Sequence, residues 1–336
     1  MSKIRRILVV RTDRIGDVVL TLPMVDVLRM NYPDAYIAMI VREYTADLAR
    51  NSDNIDEVIL YDRNGKLIPF FEILDIIRRR KFDVVFLAFP RMRLAILMWL
   101  AGIPNRVGTG YRLYSIFFNK RVFEHRKHAV KHELEYNLNL LKAFGCTTVK
   151  IEAPWINVPH DTTEKVKQKL SGYGIDTSSD SLVIIHPGSG GSSCNWRIEN
   201  FSRLGKLISG ISNTKIIITG GKGEEQLVRK LQNEIADNVV SIANEFSLVE
   251  FVALAKLADL FIGNSTGPLH IAAAVGIPVI GFYPHIVPMS AKRWGPYTDK
   301  SVVFTPVNKP YDCMDTISVE DVFESVKEIL KRKIKC

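Results

Sequence analysis

An aspartate follows the first apolar run of the chain, at a position where α/β proteins place reactive groups. The run predicts a strand over residues 7–11, and Asp17 comes directly after Gly16. Gly16 allows a tight turn at the carboxyl edge of a sheet. From position alone Asp17 is either a helix cap, the commoner role, or a general base. One glycine does not make the G-x-G-x-x-G of a dinucleotide site, so an NAD or FAD enzyme is not expected.

A second candidate site follows the apolar run that predicts a strand over 182–186. Three glycines and three serines lie between His186 and Trp196. The amides and hydroxyls of Ser189, Gly190 and Ser192 could cradle phosphate, or the loop could simply be flexible. The Gly-Lys-Ser/Thr of a P-loop is missing, so ATP hydrolysis does not follow.

A third candidate site is a predicted helix start. Ser265 or Thr266 caps the helix, Gly267 follows, and Pro268 lies just inside it. A helix that begins in this way presents free N–H groups and is a ready anion site. His270, one turn in, is either a ligand of that site or a satisfied structural histidine.

The stretch 219–225 ends a predicted strand and opens a helix. Glu224 or Glu225 could accept hydrogen bonds from a ribose, or could be placed there because carboxylates are favourable at a helix N-terminus. No Asp-x-Asp occurs in the chain, so we predict no metal-bridged diphosphate and no cofactor. Neutralisation of a leaving group would then depend on amides, hydroxyls and cations such as Lys222 or Arg197.

Apolar β-rich runs alternate with helical patterns, which predicts parallel sheets covered by helices in two α/β domains. We expect an N-terminal domain over 1–155, a C-terminal domain over 156–318, and a last helix that packs back on the first domain within 319–336. Two prolines and no periodicity mark the connection, at 151–162. The predicted strands are 7–11, 36–41, 57–61, 84–88, 106–108, 182–186, 215–219, 239–241, 260–263, 279–282 and 301–304. The predicted helices are 17–31, 70–80, 131–144 and 319–331.

The net charge of +9 is unevenly distributed. Residues 1–155 contribute +8 and residues 156–336 only +1, and within 76–131 there are 13 basic against 2 acidic residues. This basic stretch, which includes Arg78, Arg79 and Arg80, is either a solvated face or a surface for anionic lipid or a phosphorylated acceptor. Nucleic acid is not expected, because no binding motif of the usual types accompanies the charge.

Cysteine usage and hydropathy predict a cytoplasmic protein. The four cysteines are widely spaced with no Cys-x-x-Cys pair, which indicates reduced thiols. The N-terminus starts a strand and does not have the form of a signal peptide. Residues 260–291 carry no Asp, Glu, Lys or Arg, but their glycines and prolines predict strand, helix and strand, not a spanning helix.

These motifs, in this order, resemble those of glycosyltransferase family nine, the lipopolysaccharide heptosyltransferases. The residues that carry the resemblance are Gly16-Asp17, His186-Pro187-Gly188-Ser189 with Trp196, Gly220-Gly221, Gly263-Asn264-Ser265-Thr266-Gly267-Pro268-Leu269-His270, and Lys131-His132-Glu133 with Asn137 and Leu141. The match spans nearly the whole chain.

The resemblance implies an α/β fold of the GT-B type, with two Rossmann-like domains facing a cleft, and a metal-independent, inverting sugar transfer. Asp17 would be the general base. The implied donor ligands are Ser189, Gly190, Ser192, Lys222, Glu224, Glu225, Ser265, Thr266, Gly267 and His270. Arg14, Arg91 and Arg112 are the predicted acceptor ligands. The partners would be a nucleotide sugar and a lipid-linked anionic glycan, reached by peripheral contact with the inner membrane.

Two positions depart from the family pattern. Cys194 stands where characterised members have a lysine, and Ser265 stands where they have an aspartate. The reaction class is therefore expected and the identity of the sugar is left open. Two alternatives remain at this level: a nucleotide-sugar epimerase of the same architecture, and a catalytically degenerate nucleotide-sugar-binding protein.

Overall fold

The computed structural model describes residues 4–191, 193–235, 239–307 and 314–334. Ser192, one of the predicted donor ligands, lies outside the described residues. The chain forms two compact units, Met1–Ile151 and Glu152–Cys336. The division falls at the beginning of the proline-containing stretch where the connection is predicted.

The first unit contains a parallel six-stranded sheet in the order β3-β2-β1-β6-β7-β8, as far as the described residues show. Its central strand β1 pairs with β2 on one side and β6 on the other. The apolar residues of β1 are fully buried, as expected of a parallel strand covered by helices on both faces. The strands of this unit are β1 (Arg6–Val10), β2 (Tyr36–Val41), β3 (Glu57–Leu60), β4 (Asp62–Arg63), β5 (Lys66–Leu67), β6 (Val84–Leu87), β7 (Asn105–Thr109) and β8 (Lys120–Val122).

The second unit repeats this topology. Its described strands form a parallel sheet in the order β11-β10-β9-β12-β13-β14, so β9 occupies the place that β1 has in the first unit. The strands are β9 (Ser181–His186), β10 (Thr214–Gly220), β11 (Val239–Ala243), β12 (Leu260–Asn264), β13 (Val279–Phe282) and β14 (Ser301–Phe304). Two Rossmann-like units are therefore confirmed.

Helices cover the sheets in both units. In the first they are α1 (Ile15–Val19), α2 (Leu22–Asn31), α3 (Ala46–Arg50), α4 (Phe70–Arg79), α5 (Met92–Leu100) and α6 (Glu133–Phe144). In the second they are α7 (His160–Gly172), α8 (Ile198–Ser209), α9 (Glu225–Ile235), α10 (Leu248–Leu257), α11 (Gly267–Ala274), α12 (Ala291–Trp294) and α13 (Val319–Ile334). No helix among the described residues is long and apolar enough to cross a bilayer. The uncharged stretch 260–291 instead forms β12, α11 and β13.

The observed elements differ from the predicted ones in three places. The single helix predicted over 17–31 is broken after Val19, because Pro23 lies in the first turn of α2 and has no N–H to continue the helical ladder. Strand β8 was missed because it is short and carries two charged residues. The hairpin strands β4 and β5, of two residues each, were missed for the same reason of length.

The last helix belongs to the second unit. Its apolar residues Val319, Val322, Val326 and Leu330 are buried in that unit's hydrophobic core, and α13 packs against α8. The apolar face of α13 is therefore buried within the second unit.

Candidate active site

A buried arginine organises the carboxyl end of β1. Arg11 is 2% exposed and immediately follows the strand. Its Nε donates to Oδ1 of Asp13 at 2.7 Å, Nη2 donates to Oδ1 of Asp17, and Nη1 donates to Oε1 of Glu133 at 3.2 Å. Burial opposes the charged form of Arg11, but these three carboxylates together raise its pKa. One guanidinium therefore fixes three carboxylates at the sheet edge.

The structure removes one of the two roles that position alone allows Asp17, that of a helix cap. The N-cap of α1 is Arg14, so Asp17 lies inside the first turn and does not cap the helix. Its side chain is mostly buried but keeps 14% exposure. A carboxylate that is held in one orientation and still reached by solvent is suited to accept a proton from a bound group.

The segment 131–137, in the C-terminal part of the first unit's sequence, completes this cluster. Oε1 of Glu133 also accepts from Nη1 of Arg126. The side-chain oxygen of Asn137 accepts from Nη1 of Arg11 at 3.3 Å and from Nη1 of Arg126 at 3.2 Å. The Asn137 amide donates to the Leu20 carbonyl at 3.0 Å. Helix α6 thus locks the Arg11 cluster onto the loop between α1 and α2.

Asp13 is a second carboxylate at this site. Burial raises its pKa to about 7, with Arg11 acting in the opposite direction and Asp17 adding to the rise. Asp13, Arg126 and the clustering of Glu133 and Asn137 on Arg11 were missed as site residues from sequence. The available signal was Arg11 itself, a charged residue that directly continues an apolar strand.

The predicted acceptor ligands occupy matching positions on three neighbouring strands. Arg14, Arg91 and Arg112 follow β1, β6 and β7, and each is the N-cap of the helical segment that comes next. All three are exposed. Because the strands are parallel and adjacent, the three guanidinium groups are brought to the same edge as Asp17.

In the second unit the corresponding edge is held by a buried histidine. Nδ1 of His186 lies 2.9 Å from Oγ1 of Thr219, and Nε2 lies 4.0 Å from the Glu224 carboxylate. Burial lowers the pKa of His186 to about 4 despite Glu224, so the imidazole is neutral near pH 7. The contacts link the ends of β9 and β10.

Glu224 and Glu225 both have hydrogen-bond partners within their own loop. Glu224 accepts from the Gly221 amide at 2.8 Å, and Glu225 accepts from the Gly223 amide at 3.2 Å. A Cβ on Gly188 would stand 2.0 Å from Oε1 of Glu224. Glu224 thus packs on the loop after β9, and its contact with a ribose stays a prediction. Lys222, which precedes them in the same loop, is exposed.

A buried asparagine anchors the loop after β9 to β12. Asn264 is fully buried; its amide donates to the Pro187 carbonyl at 2.6 Å, and its oxygen accepts from the Trp196 amide at 2.8 Å. Gly190 and Gly191, between these two anchors, have φ of +54° and +69°. Such angles favour glycine, so the loop can bring main-chain groups close to a ligand.

The third motif has the predicted form. Helix α11 begins at Gly267 with Thr266 as N-cap and Pro268 in the first turn. Ser265 hydrogen-bonds to the buried Tyr283, whose hydroxyl donates to the Trp294 carbonyl at 2.8 Å. His270 is 5% exposed, with its ring centroid 6.5 Å from that of Trp294. The helix start therefore lies beside the loop after β9, since β9 and β12 are neighbours.

A donor site that neutralises a diphosphate needs basic side chains. Two residues near this loop do not offer an unshared positive charge. Cys194 is a free thiol packed against the hydrophobic core. Arg197, named above as a possible cation, pairs through Nε with the Asp315 carboxylate at 2.5 Å. Ser189 is 6% exposed. Among the described residues of the loops after β9 and β10, Lys222 is an exposed cation.

Each site lies where strand order reverses. In the first sheet the chain runs outward from β1 to β3 and returns to β6 on the other side; the second sheet does the same at β9 and β12. Ligands of open α/β sheets bind at such switch points, outside the carboxyl ends of the strands.

The chain is similar to one family of sugar-transferring enzymes. The model of glycosyltransferase family 9 (heptosyltransferase) matches residues 71–326. A candidate glycosyltransferase of Haemophilus influenzae is 30% identical over 308 residues, which cover 90% of this chain and 89% of that protein. Lipopolysaccharide heptosyltransferase 3 of Escherichia coli K12 is 25% identical over 347 residues, covering 94% and 95%.

A solved structure shows the same fold. Escherichia coli ADP-heptose lipopolysaccharide heptosyltransferase II matches with a TM-score of 0.83 at 18% identity, over 98% of this chain and 99% of that one. The predicted α/β fold class of two Rossmann-like units is confirmed by this likeness together with the two sheets.

Proposed function

This chain belongs to glycosyltransferase family 9, the heptosyltransferases, and from that premise we propose that it transfers heptose or a related sugar from a nucleotide-sugar donor to a lipid-linked glycan. The observation that carries the proposal is the Asp17 carboxylate, fixed by buried Arg11 at the switch point of the first sheet. A general base needs this combination of fixed orientation and access.

The chemical step is a direct displacement. As an acceptor hydroxyl attacks the anomeric carbon, its oxygen forms the new glycosidic bond and its proton passes to Asp17. The bond between the anomeric carbon and the diphosphate oxygen breaks, and the nucleoside diphosphate leaves with the bonding electron pair. Attack from the side opposite the leaving group inverts the configuration of the sugar.

The second unit is suited to bind the donor. The start of α11 at Thr266 and Gly267 and the main chain of Gly190 and Gly191 provide N–H groups for the diphosphate, and Lys222 provides a cation. Fixed N–H dipoles and a cation stabilise developing negative charge without a metal ion. Ser189, Ser265 and His270 flank these groups, and Glu224 or Glu225 would meet the ribose.

Two replacements in the donor site bear on the identity of the transferred sugar. The Cys194 side chain packs on the core, and the Ser265 hydroxyl hydrogen-bonds to Tyr283. A donor site that lacks both a cation and a carboxylate has fewer charged contacts with the sugar. The names of related structures favour an ADP-heptose-like donor, and the two replacements leave room for a sugar related to heptose.

The first unit is suited to bind an anionic acceptor. Arg14, Arg91 and Arg112 provide three cations along one sheet edge, and guanidinium groups bind phosphate and carboxylate in a bidentate manner. The names of the relatives favour the lipopolysaccharide core as the acceptor. Such an acceptor is lipid-linked, so the enzyme would work in the cytoplasm in peripheral contact with the inner membrane.

Donor binding and transfer can be tested in one series. The purified protein is warmed with ADP-, GDP-, UDP- or dTDP-sugars without added metal, and we expect ADP-sugars to raise the thermal midpoint. The stabilising donor is then incubated with truncated lipopolysaccharide and the glycan is weighed by mass spectrometry. Addition of one sugar supports the proposal.

Other outcomes identify the alternatives. Stabilisation without transfer to any surface-glycan acceptor would indicate a binding protein. A changed sugar configuration after incubation with donor alone, followed by NMR, would indicate an epimerase.

A further inference from the structure

One stretch of the first unit carries positive charge without any carboxylate. Between Asp83 and Glu124 the sequence has six Lys or Arg residues and no Asp or Glu. The triple arginine just before it is different: Arg79 pairs with Asp75, Arg80 pairs with Glu57, and Arg78 donates to the Leu100 carbonyl. Within 84–123, Arg93 and Arg106 also donate to main-chain carbonyls. The exposed cations there are Arg91, Arg112, Lys120 and Arg121, of which Arg121 uses its Nε for the Phe118 carbonyl.

The same stretch also exposes two large aliphatic side chains. The 3-10 helix Leu113–Phe117 follows β7, and Leu113 and Ile116 are 90% and 71% exposed. Residues three apart in a 3-10 helix lie on the same face, so these two aliphatic side chains point outward together. Leu113 is the most exposed large apolar residue of the described chain.

The inner face of this turn is firmly attached to the unit. The Tyr114 hydroxyl donates to the Pro90 carbonyl at 2.9 Å, and the Ser115 hydroxyl donates to the Thr109 carbonyl at 2.6 Å. The ring centroids of Phe117 and Trp99 lie 5.4 Å apart. Polar side chains thus face inward and aliphatic ones outward, the reverse of an ordinary solvated turn.

We propose that the turn Leu113–Phe117, with the cations that flank it, docks the enzyme on an anionic lipid bilayer. Leu113 and Ile116 would enter the boundary between headgroups and acyl chains, and Lys120 and Arg121 would lie over lipid phosphates. Apolar insertion combined with basic flanks is how monotopic proteins bind membrane surfaces. This inference rests on the proposed function, because the acceptor of the proposed sugar transfer is linked to a lipid.

The surroundings favour a lipid surface over a second copy of this chain. A symmetric dimer through this turn would bring Arg112, Lys120 and Arg121 of two copies together, and like charges oppose such contact. The turn also begins one residue after Arg112, at the sheet edge that carries the predicted acceptor ligands. Docking here would bring that edge close to the headgroups from which the acceptor projects.

Vesicle binding tests the docking surface without donor, acceptor or catalysis. The full chain is sedimented with vesicles of phosphatidylglycerol and phosphatidylethanolamine, and with vesicles of phosphatidylcholine as the neutral probe. We expect binding to the anionic vesicles only. Replacing Leu113 and Ile116 together by Ser should weaken it about tenfold or more, and Lys120→Gln should weaken it about fivefold.

Val307→Ser provides the matched control. Val307 is an aliphatic residue of the second unit that is 78% exposed, so this variant also loses exposed apolar surface, away from the turn, and should bind vesicles like the unmodified chain. Unchanged thermal midpoints would show that the variants fold. Transfer to a detergent-solubilised acceptor should be unaffected in the Leu113/Ile116 variant, which separates this proposal from the proposed function.

Two results would overturn the docking surface. One is vesicle binding by the Leu113/Ile116 variant equal to that of the unmodified chain. The other is a solution dimer, seen by light scattering, that this double replacement converts to a monomer, because the turn would then bind a second copy.

Discussion

At the carboxyl edge of the first sheet the buried groups of the site are charged side chains, whereas at the same edge of the second sheet they are an uncharged histidine and asparagine, with Lys222, Glu224 and Glu225 in the adjoining loop. Arg11 gathers three carboxylates in the first unit. In the second, neutral His186 and Asn264 hold a loop that contains two glycines with positive φ. The strand order is the same in both. Topology thus decides where each site lies, and the residues after the central strand decide its chemistry.

The largest expected effect lies on the charged edge. Asp17→Asn keeps a hydrogen-bond acceptor for Arg11 but removes proton acceptance, so we expect kcat of transfer to fall about 10²–10⁴-fold. The measurement is the steady-state rate with saturating donor and acceptor. Asp47→Asn is the control, since Asp47 is an exposed carboxylate of α3 whose loss should leave kcat unchanged. A loss of only a few fold for Asp17→Asn would remove the general base from the account.

The next effect lies on the neutral edge. Asn264→Ala leaves the buried Pro187 carbonyl and Trp196 amide without their partner, which costs about 1–3 kcal/mol for an unsatisfied buried group. We expect a lower free energy of unfolding and weaker donor binding, measured by denaturant titration and calorimetry. Asn195→Ala, an exposed asparagine of the same loop, should change neither. Equal effects of the two variants would show that Asn264 does not anchor the loop.

A smaller effect tests the contact between the loops of the neutral edge. In Gly188→Ala the new methyl group displaces the Glu224 carboxylate, which can swing away, so we expect donor affinity to fall about tenfold or less. In a Glu224→Ala background the same change should cost little. If the cost is the same in both backgrounds, Glu224 does not set the position of the loop.

The smallest effect is a pH dependence on the charged edge. Because the pKa of Asp13 is raised to about 7, Asp13 gains negative charge as the pH rises through about 7. The charged Asp13 carboxylate then holds the Arg11 guanidinium more strongly through Nε, which weakens the hydrogen bond from Nη2 of Arg11 to Asp17. We expect the transfer rate to rise a few fold across this pH range and Asp13→Asn to abolish the rise. A profile that Asp13→Asn does not alter would exclude this coupling.

The sequence predicted the fold well because buried parallel strands are continuous apolar runs. All eleven predicted strands are present, and α6 ends at Gly145 as expected.

The features that could not be predicted depend on contacts between residues that are far apart in sequence. Glu133 and Asn137 lie far from Arg11 in sequence, and no local pattern shows that they meet. The apolar turn at Leu113 and Ile116 was also hidden, since exposure is known only once the inner face has packed.

The division of work between the two edges is tested most directly by single-turnover transfer as a function of donor concentration, with Asp17→Asn and Asn264→Ala measured side by side. The account predicts that Asp17→Asn lowers the rate at saturating donor while the donor concentration at half-saturation stays the same. It predicts the opposite for Asn264→Ala: a higher half-saturating concentration and a nearly unchanged limiting rate. If Asp17→Asn instead weakened donor binding and left the limiting rate intact, the charged edge would not carry the base and the central claim would be wrong.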